Sequence, residues 1–230
     1  KLYMKEENMG DLLVSAIVVI VTGVIVAAIF IITGKKKKEK EAALVQLAQR
    51  NGWAYEQVNR AQLAGFILRA ADWSLEGLVS SSVHTSEAGS SPVAYNNKWS
   101  TDKVTSQEGL VMIGPKIPQV QLGGFGDMVL QKALRMMLGD EAGQAAGLGE
   151  VKVGRGSFGE RYSVWATSQE AAEKMLTFDL ENALLKWQGK ELPVLKFSSA
   201  GTQITTRQAR IDTVEGVQAL VDLGEAVLAG

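Results

Sequence analysis

Residues 158–207 read FGERYSVWATSQEAAEKMLTFDLENALLKWQGKELPVLKFSSAGTQITTR, and the changes of period along this stretch set the fold class. Phe158–Ala166 has the aromatic and β-branched content of a strand, and with Val151–Val153 it reads as a hairpin. Thr167-x-x-Glu170 is a capping box, a spacing that satisfies the unpaired N–H groups where a helix begins. The helix it opens is expected to run to about Trp187, with an apolar stripe of Ala172, Met175, Leu176, Leu180, Ala183, Leu184 and Trp187, and to stop at Gly189. Glu170, Glu173 and Glu181 are assigned to its exposed face. Val194–Ser198 and Gln203–Arg207 then read as strands meeting at Ala200-Gly201, and Asp212-x-x-Glu215 caps a last helix ending near Leu228. Strand pairs joined by short turns and set between helices define an α+β domain, an antiparallel sheet covered by helices.

Upstream, the pattern is less regular. Trp73–Val79, Val93–Trp99 and Leu110–Ile113 are expected strands, and Ser80–Ser91 a loop between the first two. Asp127–Leu138, DMVLQKALRMML, has helical spacing between glycine-rich flanks and is read as a core-facing helix. Glu41 to about Val58 is expected to be helical with an interruption at Asn51-Gly52, and Ala61–Ala71 a second short helix.

The N-terminal end has a different composition. Leu12–Thr33, LLVSAIVVIVTGVIVAAIFIIT, holds 22 residues without a charge. At about 1.5 Å per residue a helix of that length reaches roughly 33 Å, enough for a bilayer core of about 30 Å. A lone segment in lipid must be helical, because nothing else there satisfies its backbone. A cleaved signal peptide would have a shorter apolar run, with the basic residues before it rather than after. Lys35, Lys36, Lys37, Lys38 and Lys40 follow the run, against Lys1 and Lys5 before it, so the positive-inside rule puts the C-terminal domain in the cytoplasm. The same lysines are expected at the membrane surface, against anionic headgroups. Gly23 and Ala27 form a small-xxx-small pair suited to packing against another helix. The expected organisation is a short external tail (1–11), a transmembrane helix (12–34), a basic juxtamembrane cluster (35–40) and a cytoplasmic α+β domain (41–230).

Composition narrows the chemistry. The 230 residues include one histidine and no cysteine, which excludes disulfide scaffolds, thiol nucleophiles, cysteine zinc sites and two-histidine metal motifs. The net charge of −1 conceals a basic cluster of five lysines and one glutamate, followed by a domain with 17 basic and 21 acidic residues. That acidic balance opposes binding to nucleic acid. Gly154-Arg155-Gly156-Ser157-Phe158-Gly159 matches G-x-G-x-x-G, but the dinucleotide reading requires a helix immediately afterwards; strand-like RYSVWAT follows, so a hairpin turn is the preferred reading. Ser100-x-x-Lys103 lacks the companion motifs of serine–lysine enzymes, and His84 has no orienting partner nearby in sequence.

Several segments resemble an uncharacterised bacterial family of membrane-anchored proteins defined by a domain of unknown function. They are Asn51-Gly52-Trp53-Ala54-Tyr55, Ile117-Pro118, Phe158-Gly159-Glu160-Arg161-Tyr162-Ser163-Val164, and the helix Ala171–Leu185. The resemblance implies a membrane-tethered α+β domain and no catalytic residue. The expectation is therefore a non-enzymatic, single-pass inner-membrane protein without cofactor or metal. Its cytoplasmic domain binds a membrane-protein partner or a further copy of itself, as an accessory subunit of a larger complex. Two alternatives are a lipid-binding sensor at the membrane surface and an enzyme restricted to carboxylate chemistry.

Overall fold

The computed structural model describes residue 22 and residues 32–81, 93–116, 147–207 and 210–230. The chain divides into two units, Lys1–Gln46 and Leu47–Gly230. In the first, residues 32–46 are helical. Most of the expected span Leu12–Thr33 lies outside the described residues, as do Gly23, Ala27, His84, Ile117-Pro118 and the expected helix Asp127–Leu138. Among the described residues, no helix is long and apolar enough to cross a membrane.

The second unit begins with helical residues 47–51 and a sharp stop. Gly52 takes φ +69°, its N–H donates to the Gln49 carbonyl (3.3 Å), and Trp53 N–H donates to the Ala48 carbonyl (2.8 Å). This is a Schellman ending, in which a left-handed glycine lets two final carbonyls find donors. The helix does not continue to Val58. Instead β1 (Ala54–Arg60) and β2 (Leu63–Arg69) form an antiparallel hairpin, replacing the short helix expected over Ala61–Ala71. Alanine, leucine, glutamine and arginine favour helix locally, and the Ala61-Gln62 turn carries no Gly, Asn or Asp to announce a hairpin. Pairing of β2 with β3 overrides those preferences.

The remaining strands are β3 (Ser74–Ser81), β4 (Val93–Thr101), β5 (Val111–Pro115), β6 (Gly149–Val151), β7 (Tyr162–Ala166), β8 (Val194–Ser198) and β9 (Gly201–Thr206). They form one nine-stranded antiparallel sheet in the order β1-β2-β3-β4-β9-β8-β5-β7-β6. The expected α+β class with an antiparallel sheet is therefore present. Registration aligns Leu68, Leu75, Trp99, Ile204, Leu195, Ile113 and Val164 in one continuous buried row across seven strands. Strands β5 and β7 are buried on both faces, whereas the edge strand β1 buries only Val58.

Among the described residues four helices follow the first strands: α1 (Phe158–Arg161), α2 (Gln169–Met175), α3 (Phe178–Lys186) and α4 (Val214–Leu228). The single helix expected to run to Trp187 is two. Ser168, not Thr167, caps α2, accepting from Ala171 N–H (3.1 Å), and Thr177 caps α3, accepting from Leu180 N–H (3.3 Å). A second hydroxyl cap in mid-sequence gives the backbone an alternative to continuing the helix, and the break falls there. Likewise Thr213, one residue after the expected Asp212, caps α4. The final helix packs on β4 and on α3. Its Gly224 lies against the Trp99 indole so closely that any side chain there would overlap the ring.

Buried Asn97 secures the same corner. Its amide nitrogen donates to the Thr206 carbonyl (3.2 Å) and hydroxyl (3.1 Å), and its amide oxygen accepts from Ile211 N–H (3.3 Å). One side chain thus joins β4, β9 and the approach to α4.

Candidate docking surface

The glycine loop Gly154–Gly159 is a structural turn with an exposed outer side. Gly154 (φ +94°) and Gly156 (φ +54°) occupy backbone conformations that side chains disfavour, and a Cβ at Gly154 would meet the Phe158 ring at 2.5 Å. The loop leads into the single turn α1 rather than directly into a strand, which corrects the expectation that Phe158 opens the strand. Phe158 is fully buried and stacks on Tyr162 with ring centroids 5.2 Å apart. Glycine here serves turn geometry and close packing, and four helical residues offer no phosphate cradle.

Two side chains of α3 shape the loop's outer side. Glu181 is only 6% exposed, and its Oε1 accepts from the Arg155 backbone N–H at 2.6 Å. This overturns its assignment to a solvated face; Glu170 and Glu173 are exposed as expected. The cause is a bond from a loop 26 residues away, which helical periodicity does not register. One turn earlier, Phe178 is 60% exposed, and the Arg155 guanidinium sits over its ring at 5.6 Å. With Lys152, Glu173 and Leu176 these groups border a cleft of about 360 Å³. Solvent-exposed aromatic and arginine side chains beside a buried carboxylate make a surface suited to protein contact, since such residues dominate binding energy when desolvated.

Arg161 and Tyr162 fasten the C-terminal end of α3. Arg161 donates to the Leu185 carbonyl (2.8 Å) and the Trp187 carbonyl (3.3 Å), closing the C-terminus of α3. Tyr162 Oη donates to the Leu184 carbonyl (3.1 Å), and burial pushes its pKa from 10.0 to about 12, with nearby Arg161 opposing the shift. Because the folded value lies above the unfolded one, this tyrosine's contribution to stability is complete below pH 10 and is lost as pH rises toward about 12. Denaturant midpoints measured across that interval are expected to fall for the native chain, and less steeply for Tyr162→Phe. That variant should also lose about 1 kcal/mol at neutral pH with its hydrogen bond.

A second, larger cleft of about 510 Å³ lies where the β2–β3 turn, the end of β4 and the β8–β9 turn meet, bordered by Arg69, Asp72, Ser100, Asp102 and Gln203. Its polar groups mostly hold loops together. Thr101 Oγ1 donates to the Asp72 carbonyl (2.6 Å), Ser100 and Ser74 hydroxyls share a hydrogen bond (3.1 Å), and Arg69 pairs with Glu56 (2.6 Å). Lys103 enters only through its backbone N–H, which donates to Thr101 Oγ1. Among the described residues, no three His, Asp or Glu side chains are grouped to hold a metal ion.

The clustered lysines Lys35, Lys36, Lys37, Lys38 and Lys40 are all exposed on helical residues, with Lys35 Nζ 4.0 Å from Glu39. Sequence reasoning missed the pairing of Phe178 with Arg155. The available signal was an aromatic directly after Thr177, at the start of an amphipathic segment but off its apolar stripe. Comparisons with family models, curated proteins and solved structures found no match.

Proposed function

We propose that this chain is a non-enzymatic, single-pass inner-membrane protein whose cytoplasmic α+β domain docks a partner protein through the Arg155–Phe178 surface. The observation that carries the docking reading is Phe178, the exposed aromatic that arginine covers beside buried Glu181. Leaving about 60% of a phenyl ring in water costs the free chain transfer energy that contact with a partner recovers. The tether rests on the uncharged run Leu12–Thr33, and its orientation on the lysine cluster, whose side chains are exposed as headgroup contact requires.

Two measurements test the reading. Alkaline carbonate extraction should leave the chain in the membrane pellet; release into the supernatant removes the tether. A photoreactive amino acid at position 178 should capture one predominant protein in native membranes. Phe178→Ala and Arg155→Ala should each abolish co-purification of that protein, while Phe178→Ala shifts stability by no more than about 0.5 kcal/mol, as expected of an exposed side chain. A captured protein that still co-purifies with both variants would sink the docking surface.

A further inference from the structure

The sheet has two unequal edges. β6 is three residues long, while β1 has seven, and among the described residues β1 pairs with β2 alone. A strand of that length presents a row of backbone donors and acceptors along its outer side, and soluble proteins commonly shield such edges with proline, inward charges or bulges. β1 reads AYEQVNR and contains neither proline nor lysine.

Its charges are placed with a particular symmetry. Two copies of one strand can pair antiparallel about a two-fold axis only with some residue opposite itself. Centring on Val58 sets Glu56 opposite Arg60 of the other copy, twice, and Gln57 opposite Asn59, twice. Centring on Glu56 or on Arg60 opposes like charges. Centring on Gln57 or Asn59 sets a charge against Val58. Centring on Ala54 or Tyr55 leaves Glu56 opposite an uncharged residue, so one register among the seven sets unlike charges against each other. Glu56 and Arg60 are both exposed; Glu56 pairs with Arg69 of its own chain through Oε2 (2.6 Å) and would share its carboxylate with the second copy, while Arg60 forms no ion pair among the described residues.

We infer that β1 is a self-association edge. A second copy of this chain adds its own β1 antiparallel, with Val58 on the two-fold axis, and continues the sheet from one subunit to the next. Backbone hydrogen bonds supply affinity, as in strand addition generally, and the paired charges select the register and the partner. The inference does not depend on the membrane tether or on the Arg155–Phe178 surface, and its test leaves both untouched.

The absence of cysteine makes the register directly measurable in the full-length chain. Under mild oxidation, Val58→Cys should give a disulfide-linked dimer, because paired residues on adjacent strands lie within disulfide reach. Glu56→Cys should not, since its two copies would be roughly 14 Å apart along the strands. Charge reversal supplies the second arm. Arg60→Glu and Glu56→Arg, each alone, should weaken self-association about tenfold, and mixing the two variants should restore it, because every opposed pair is then complementary. Restoration also shows that both variants are folded. Monomer at every concentration, equal crosslinking at positions 56 and 58, or a mixture that stays monomeric would each overturn the inference.

Discussion

Trp99→Ala is expected to destabilise the domain by about 3 kcal/mol, toward the low end of the range for removing a buried tryptophan. Trp99 has no solvent exposure and stands in the middle of the buried row, between Leu75 and Ile204. It also contacts Trp73, with ring centroids 6.4 Å apart, and takes the close approach of Gly224 from α4. The low end applies because its indole N–H is buried without a hydrogen-bond partner among the described residues, so truncation also removes an unsatisfied polar group. Gly224→Ala tests the same joint from the helix. The added methyl overlaps the indole, and overpacking of this kind costs about 1–3 kcal/mol. Combining Gly224→Ala with Trp99→Phe should cost less than the two changes summed, because the smaller ring makes room for the methyl. Denaturant unfolding of the four variants measures all of this; strict additivity would show that α4 and β4 do not meet at this pair.

Gly65→Ala should be more damaging than its position near a sheet edge implies. Gly65 has φ +151°, and a Cβ there would overlap the backbone carbonyl of Gly77 on the neighbouring strand. Backbone strain contributes about 1–3 kcal/mol. The clash adds to it, because a carbonyl bound into a sheet cannot swing aside as a side chain can. Gly77→Ala provides the contrast. Its Cβ would meet the Phe66 ring at 2.5 Å, and a ring can rotate or shift to relieve that contact. The expected order of thermal midpoints is native, then Gly77→Ala, then Gly65→Ala. Equal losses for the two variants would contradict the geometry.

Both predictions concern residues that looked unremarkable in sequence. Strands β3, β4, β5, β8 and β9 were legible within about two residues, because each buries alternating or continuous apolar positions between turn signals. The hairpin β1–β2 was not. Its composition favours helix, and its strand identity depends on hydrogen bonds to β3. The same division holds at the candidate surface. The glycine loop was read as a hairpin turn because strand formers follow it, and it runs instead into the single turn α1 before β7 begins at Tyr162. Glu181 is buried instead of solvated, and Phe178, which the apolar stripe did not include, stands exposed. Thr177 restarts the helix, and the Arg155 N–H draws the carboxylate inward.

What the amino-acid order established locally is the α+β class, the caps near residues 168 and 213, and the division into an uncharged segment, a lysine cluster and an acidic domain. Those features depend on contacts a few residues apart or on summed composition, and either can be counted along the chain. Strand order, the row running from Leu68 to Val164, the seating of Gly224 on Trp99 and the burial of Glu181 emerged only in three dimensions. The burial of Glu181 and the seating of Gly224 on Trp99 join residues 26 or more positions apart, and the buried row depends on long-range pairings such as Trp99 with Ile204. Long-range pairing sets a residue's exposure, and exposure decides whether a charge solvates a surface or organises a site.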